Sequence, residues 1–288
     1  MRVTKWLPEP IADQLWRLRR RLTGLDRQTI GVALQSLGPC PGEVLLVHSS
    51  LATCGYVRGG PPTVIAALDN WLDGRTLAMP THTYCYPHGD ELPPVFDVAE
   101  TASQNGVITN CFRRQPGVLR SLHPTHSLAA RGPRNAALCA GHENCDTPCG
   151  AGTPYQRLVE WDCSVLMFGV SMKSYTLFHT TEALARLPFK YEPLPYRLRL
   201  KQPDGTVRPF FMWRQITNMP NRYRAMADWL EPQGLLVRCR FGVGELLFIP
   251  HAKAVHERLL AELERDPMFL IADSQKDPSA STPTRTAC

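Results

Sequence analysis

A chain of 288 residues with 43% apolar content can bury a sizeable core, either in one large α/β domain or in two small ones. No run approaches the ~18 apolar residues needed to cross a bilayer, and Pro8, Glu9, Pro10 and Asp13 interrupt the start where a signal peptide would carry its apolar core, so the sequence reads as cytoplasmic with no membrane partner. The formal charge of +6 suits an anionic ligand and counts against a polycationic one, while the ten scattered cysteines read as small buried apolar residues without a structural disulfide.

Two helices open the chain, Ile11 to Leu22 and Asp26 to Leu37, with Asp26 as a cap and Gly38-Pro39 as a stop. Arg17, Arg19, Arg20 and Arg21 share the first helix with the apolar stripe Ile11, Leu15, Leu18 and Leu22. No aromatics are interleaved, so the cluster reads as a solvated face and no nucleic-acid partner is expected. Next, Glu43-Val44-Leu45-Leu46-Val47-His48 is a continuous apolar run, as expected of a strand buried on both faces. It enters Ser49-Ser50-Leu51 and the turn Gly55-Tyr56-Val57-Arg58-Gly59-Gly60. A helix begins at Pro61-Pro62 and ends before Gly74, and Thr76-Leu77-Ala78-Met79-Pro80 is a second strand. Strand, glycine turn, helix and strand form a βαβ unit whose turn faces hydroxyls and N–H groups toward a ligand, although the glycine spacing is not that of a dinucleotide or phosphate-binding loop.

A helix over Gln104 to Gln115 is followed by Arg120-Ser121-Leu122-His123-Pro124-Thr125-His126-Ser127, a polar, shaped loop before a short strand. Cys139, His142, Cys145 and Cys149 are metal-type donors, but their spacing is unlike paired zinc-ligand sets, and no metal is expected. Gly152-Thr153-Pro154-Tyr155 caps a helix through Glu160.

The strand Val165-Leu166-Met167-Phe168-Gly169-Val170 then leads into Thr176-Leu177-Phe178-His179-Thr180-Thr181-Glu182. Residues three apart share a helix face, which sets Glu182 beside His179 near a helix N-terminus, with Thr176 just before it, at the strand end where open α/β sheets place their sites. A carboxylate there fixes the imidazole tautomer and stabilises the imidazolium formed on proton abstraction, a general-base pair. A hairpin of Tyr196 to Leu200 with Val207 to Met212, a helix from Arg222 to Leu230, strands over 235–241 and 245–249, and a helix from Ala252 to Leu263 complete a domain read as residues 1–270, with 271–288 as a disordered tail.

Several of these stretches in order resemble the antibiotic N-acetyltransferase family, best known for the aminoglycoside 3-N-acetyltransferases. They are Val47-His48-Ser49-Ser50-Leu51 with Gly59-Gly60, Thr76 to Thr81, Phe96-Asp97, Arg120 to Ser127, Gly152 to Tyr155, Leu166 to Val170, and Thr176-x-x-His179-x-x-Glu182. The resemblance implies a three-layer α/β/α sandwich with a central mixed sheet, acetyl-CoA or another acyl-CoA as co-substrate, a small-molecule amine as acceptor, and His179 as the base. Carried over, it sets Ser49, Ser50, Arg120, Ser121, His123, Thr125, Ser127, Thr153 and Tyr155 around the CoA arm and phosphates. Against the apolar runs they adjoin, His48 and His126 read instead as core histidines.

The chain departs from the family at Arg214-Gln215-Ile216-Thr217-Asn218-Met219-Pro220-Asn221, where aminoglycoside enzymes resemble one another in carrying carboxylates and this sequence has none. A tri- or tetracation needs several, so the expected acceptor is a less cationic amine unless Asp90, Glu91 and Asp97 stand at the acceptor mouth. A competing mechanism uses Cys85 or Cys111 as a nucleophile, giving a thioesterase or ping-pong transferase, which nothing in the spacing favours.

Overall fold

The structure is a computed structural model that describes residues 24–83, 85–86, 92–216 and 219–272. The expected helix over Ile11–Leu22 with its arginines, Asp90 and Glu91, and residues 273–288 of the expected tail lie outside the described residues. Ile271 bridges Asn221 and Ala272 is buried, which carries the packed chain just past residue 270.

In chain order the helices are α1 Arg27–Ser36, α2 Leu51–Cys54, α3 Pro61–Leu72, α4 Val107–Phe112, α5 Asn135–Cys139, α6 Pro154–Glu160, α7 Leu177–Leu184, α8 Met226–Leu230 and α9 Ala252–Arg265. The strands are β1 Val44–Ser49, β2 Thr76–Pro80, β3 Val95–Phe96, β4 Leu119–Arg120, β5 Leu128–Arg131, β6 Ser164–Phe168, β7 Tyr196–Lys201, β8 Val207–Met212, β9 Val237–Phe241 and β10 Gly244–Ile249. Seven strands form one mixed sheet in the order β4-β5-β2-β1-β6-β10-β9. Its centre, β2-β1-β6, is parallel, and the flanking β5 and β10 pair antiparallel to it.

The continuous apolar runs follow from burial on both faces. Side chains alternate along a strand, so Val44 and Leu46 of β1 join Val165 and Met167 of β6 in one core, while Leu45 and Val47 join Leu166 and Phe168 in the other. The first core is covered by α6, α7, α8 and α9 through Tyr155, Phe178, Leu230 and Leu259; the second is covered by α1, α3 and α4 through Leu34, Leu68 and Phe112. Helix, sheet and helix therefore make the three layers expected. Asp26 does cap α1, accepting from the Thr29 amide at 2.9 Å.

Two helices are shorter than the sequence implies, each for a local reason. Gly106 has φ of +102°, which no helix interior accommodates, so α4 starts at Val107 instead of Gln104. The helix expected from Arg222 begins with a single tight 3₁₀ turn over Tyr223–Ala225 and becomes α only at Met226.

A second, small sheet, β3-β7-β8, closes over its own core of Phe96, Leu198, Leu200, Phe210 and Met212. The chain leaving β8 returns to the main sheet. Gln215 bridges Tyr191, and the Ile216 amide donates to the Lys190 carbonyl at 2.7 Å, which lays residues 215–216 along the segment 190–191 that follows α7.

Candidate active site

β1 and β6 are adjacent and parallel, and their chains leave in opposite directions, β1 toward α3 on one face and β6 toward α7 on the other. A crevice at such a divide, beyond the carboxyl ends of the strands, is the usual ligand site of an open α/β sheet. Here it is a cleft of about 920 Å³ whose wall includes His48, Ser49 and Ser50 after β1, His82 after β2, Gly169 after β6, and Thr176 and His179 of the α7 turn. Gly169 permits the close approach: its φ is +69°, and a side chain there would run into Cys54 and Thr53 of α2.

The i, i+3 spacing on α7 delivers the expected pair. His179 Nδ1 lies 3.2 Å from Glu182 Oε2, which leaves Nε2 as the ring nitrogen for a substrate. The other carboxylate oxygen of Glu182 accepts from the Tyr223 hydroxyl at 2.7 Å and from Lys190 Nζ at 3.1 Å. Glu182 and Lys190 are both buried, with side chains 1% and 2% exposed. Burial alone would push the Glu182 carboxyl up, but the hydrogen bond and charge of His179, the Lys190 ammonium and the Tyr223 hydroxyl together hold it below the ordinary carboxylate range. Gln215 fixes the backbone of the pair, its Nε2 donating to the His179 carbonyl at 3.0 Å.

Of the other positions named from the sequence, Thr176, Ser49 and Ser50 line the same cleft as His179. Ser49 Oγ and His48 Nε2 are buried polar atoms without a protein partner, an orphaned pair at the end of β1 suited to a polar ligand.

The remaining positions stand behind the wall, not in it. Arg120 spends its guanidinium on Thr81 Oγ1 and Ser127 Oγ through Nε, on the carbonyls of Val98 and Thr101 through Nη1, and on the Thr81 carbonyl through Nη2. Ser127 Oγ donates to the same Thr81 carbonyl at 2.7 Å, and Ser121 Oγ lies 2.9 Å from His142 Nδ1. His123 Nδ1 accepts from the amides of Thr125 and His126, while Thr125 Oγ1 lies 2.8 Å from His126 Nδ1. Thr153 caps α6, accepting from the Gln156 amide, and the buried Tyr155 hydroxyl meets His82 Nε2 at 3.0 Å. These residues shape the loop that presents His126 to the cleft; the fold ties most of the loop's polar groups to the surrounding chain, while His123 Nε2 is buried without a hydrogen-bond partner among the described residues.

The histidines read as core partly face the cleft instead. His48 and His126 both line it, and burial drives each imidazole down to about 3, so both are neutral near pH 7. His82 lies against His126 with ring centroids 4.4 Å apart, and its one signal in the sequence is its place just after β2 and Thr81. Lys190, Tyr223 and Gln215 carried no local signal at all.

Among the described residues no group of three or more His, Cys, Asp or Glu side chains is placed to hold a metal ion. Cys139 donates weakly to the carbonyls of Leu119 and Leu128, and burial pushes its thiol up to about 12. None of the described cysteines lines the cleft, and burial pushes the Cys85 thiol up, opposite to what a nucleophile needs. All nine described cysteines are free.

Residues 46–259 match the family model described as aminoglycoside 3-N-acetyltransferase. Aminoglycoside N(3)-acetyltransferase IX of Micromonospora chalcea is 35% identical over 241 residues, covering 76% of this chain and 83% of that one. Aminoglycoside N(3)-acetyltransferase VII of Streptomyces paromomycinus is 33% identical over 198 residues, covering 62% and 67%. The crystal structure of aminoglycoside acetyltransferase AAC(3)-Xa superposes with a TM-score of 0.77 at 27% identity, covering 91% of this chain and 99% of that one. A mutant of AAC(3)-IVa in complex with a gentamicin gives 0.74 at 28% over 88% and 93%, and AAC-IIIb with CoASH gives 0.73 at 25% over 84% and 97%. With a match spanning most of the sequence and the three-layer fold in common, the chain belongs to the aminoglycoside 3-N-acetyltransferase family and is an acyl-CoA-dependent N-acyltransferase.

Proposed function

We propose that the chain moves an acetyl group from acetyl-CoA to an amine of a small molecule, with His179 as the general base. The observation that carries this reading is the His179–Glu182 pair in the cleft wall, one ring nitrogen turned to a buried carboxylate and the other left for substrate. The amine nitrogen attacks the thioester carbon and gives its proton to Nε2; the C–N bond forms, the C–S bond breaks, and the proton passes on to the departing thiolate. Glu182 keeps the proton of the resting ring on Nδ1 and stabilises the transient imidazolium. Holding donor and acceptor together supplies much of the acceleration, without a covalent enzyme intermediate. Thr176 stands beside the base in the reacting part of the cleft, and Ser49 and Ser50 are the positions that would contact the donor, with Arg120, Ser121, His123, Thr125, Ser127, Thr153 and Tyr155 supporting the wall from behind.

For the acceptor we infer a less cationic amine. None of the described residues lining the cleft is Asp or Glu, whereas Lys173, Arg214 and Arg224 are among them, Arg214 paired with Glu192 at 3.3 Å, so the described wall offers a tri- or tetracation no carboxylate of its own. Asp97 is turned away to Lys201, Nζ to Oδ2 at 2.7 Å. A second reading, an aminoglycoside acceptor, is favoured by the names of the relatives and by the gentamicin complex of AAC(3)-IVa. Thiol release from acetyl-CoA, followed against gentamicin, kanamycin and a panel of neutral and acidic amines, separates the two. A kcat/KM above ~10⁴ M⁻¹s⁻¹ on either drug establishes the second reading. Turnover confined to the other amines establishes the first, and no thiol release with any amine would overturn both.

A further inference from the structure

The His179–Glu182 pair does not stand alone in the protein: a lysine shares the carboxylate. Lys190 Nζ reaches Glu182 Oε1 at 3.1 Å from the turn after α7, in a position as buried as the carboxylate itself. A buried lysine gives up its hydration and its side-chain freedom, and a charge in such a place is retained only against a partner. Tyr223 already occupies the same oxygen with a 2.7 Å hydrogen bond, so the carboxylate does not need Lys190 in order to be hydrogen-bonded. What Lys190 adds is charge. It makes Glu182 half of a neutral pair before any proton reaches His179.

We propose that Lys190 is a positioning residue of the reaction: it cancels the charge of Glu182, so that the carboxylate orients the imidazole of His179 without holding it protonated, and the base is ready to accept a proton. A bare carboxylate 3.2 Å from an imidazole would favour the imidazolium, and an imidazolium is not a base. With Lys190 present, protonating His179 builds a net positive charge in a buried cluster, and the proton is passed on readily to the departing thiolate. Among the described residues, the other groups that interact with the ring or its carboxylate do not supply this cancellation. Tyr223 meets it edge-on, and burial keeps its phenol neutral. His82 and His126 sense His179 from across the cleft, and burial holds both neutral near pH 7. Cys149 and Tyr191, which sense Glu182, are likewise held neutral by burial. Arg214, which His126 senses, is paired with Glu192 at 3.3 Å.

The inference rests on His179 acting as the base, but its test needs no acceptor and no turnover. The ring resonances of the chain's nine histidines are followed by NMR from pH 5 to 9 on the full-length protein, with His179 assigned by its loss in His179→Gln. Uncovering a carboxylate at this range moves a titration midpoint by roughly 1–3 pH units. Lys190→Met should therefore raise the His179 midpoint by at least about one unit, and Lys190→Arg should restore it. Should Lys190→Met leave an unpaired carboxylate that prevents folding, the neutral double variant Lys190→Met/Glu182→Gln decides the matter. If Lys190 cancels Glu182, removing both leaves the midpoint within about half a unit of wild type; if it does not, losing the carboxylate lowers the midpoint by about a unit or more. An unmoved midpoint in Lys190→Met, or a lowered one in the double variant, overturns the proposal. Either result leaves the transfer assay free to succeed or fail by itself.

Discussion

The Tyr223 hydroxyl donates to Glu182 Oε1 at 2.7 Å from a ring that stacks on Phe178 with centroids 4.8 Å apart and meets the His179 imidazole edge-on at 5.6 Å. One side chain therefore holds the carboxylate and backs the ring that the carboxylate orients. Tyr223→Phe keeps the packing and removes only the hydrogen bond. A hydrogen bond to a charged group is worth ~1.5–3 kcal/mol, and Glu182 retains Lys190 and His179 as partners. The expected outcome is a stability loss toward the lower end of that range in denaturant titration, with turnover falling less than about 10-fold because the base remains in place.

Replacing the base itself separates chemistry from binding. His179→Ala should lower kcat by roughly 10²- to 10⁴-fold while the dissociation constant for CoA, measured by calorimetry, stays near that of the wild type. Glu182→Gln removes orientation and charge but not the base, and its loss should be smaller. Near-normal turnover in His179→Ala would remove this residue from the mechanism.

Acid should unfold the protein early. His48, His82, His123 and His142 are buried, and burial lowers all four, His48 and His142 to about 3. In the unfolded chain they titrate near ~6.5, so below that pH the unfolded state binds more protons. Their contribution to stability is therefore whole above ~6.5 and is lost as the pH falls, at up to ~1.4 kcal/mol per pH unit for each ring. Glu182 acts in the same direction at lower pH: its depressed carboxyl contributes stability above the unfolded value of 4.5, lost as the pH falls through the folded one. A melting temperature that drops steeply between about pH 6.5 and 4.5 is the expected result, and His142→Asn should flatten the fall. A flat profile would mean that these rings are protonated in the folded state.

Arg120 distinguishes a structural tie from a phosphate contact. Its guanidinium is spent on hydroxyls and carbonyls of its own chain, so Arg120→Gln should cost ~2–4 kcal/mol in chemical denaturation and leave CoA affinity of the folded protein within about 3-fold. Weakened CoA binding at unchanged stability would instead place the side chain on the donor.

The legible parts of this protein are those whose physics is local. β1 and β6 announce themselves as unbroken apolar runs because both their faces are covered, and His179 with Glu182 is readable because residues three apart on a helix are neighbours on one face. Tyr223, 41 positions from Glu182, and Gln215, 36 from His179, are joined to the pair only by the folded chain. Lys190 is nearer in sequence, yet nothing in Pro188-Phe189-Lys190 distinguishes a buried ammonium from an exposed one. The loop 120–127 misleads in the opposite sense. Its density of hydroxyls, imidazoles and arginine looks like a ligand surface, but most of those groups are tied to the protein's own chain, while His123 Nε2 is buried without a partner among the described residues, and only the fold reveals that His126 is the one it presents.

The single hydrogen bond from Gln215 to the His179 carbonyl bears on how acceptor scope can drift. Arg214 faces the cleft one residue before it, on the segment that leads back from the small sheet. A lineage under pressure to accept a new amine would sample changes in that segment first, yet each change there also tugs on the backbone of the helix carrying the base. Libraries that randomise 213–216 should yield active variants mainly where glutamine survives at 215. New acceptors should then arise by recharging position 214 around a fixed neighbour, not by rebuilding the segment.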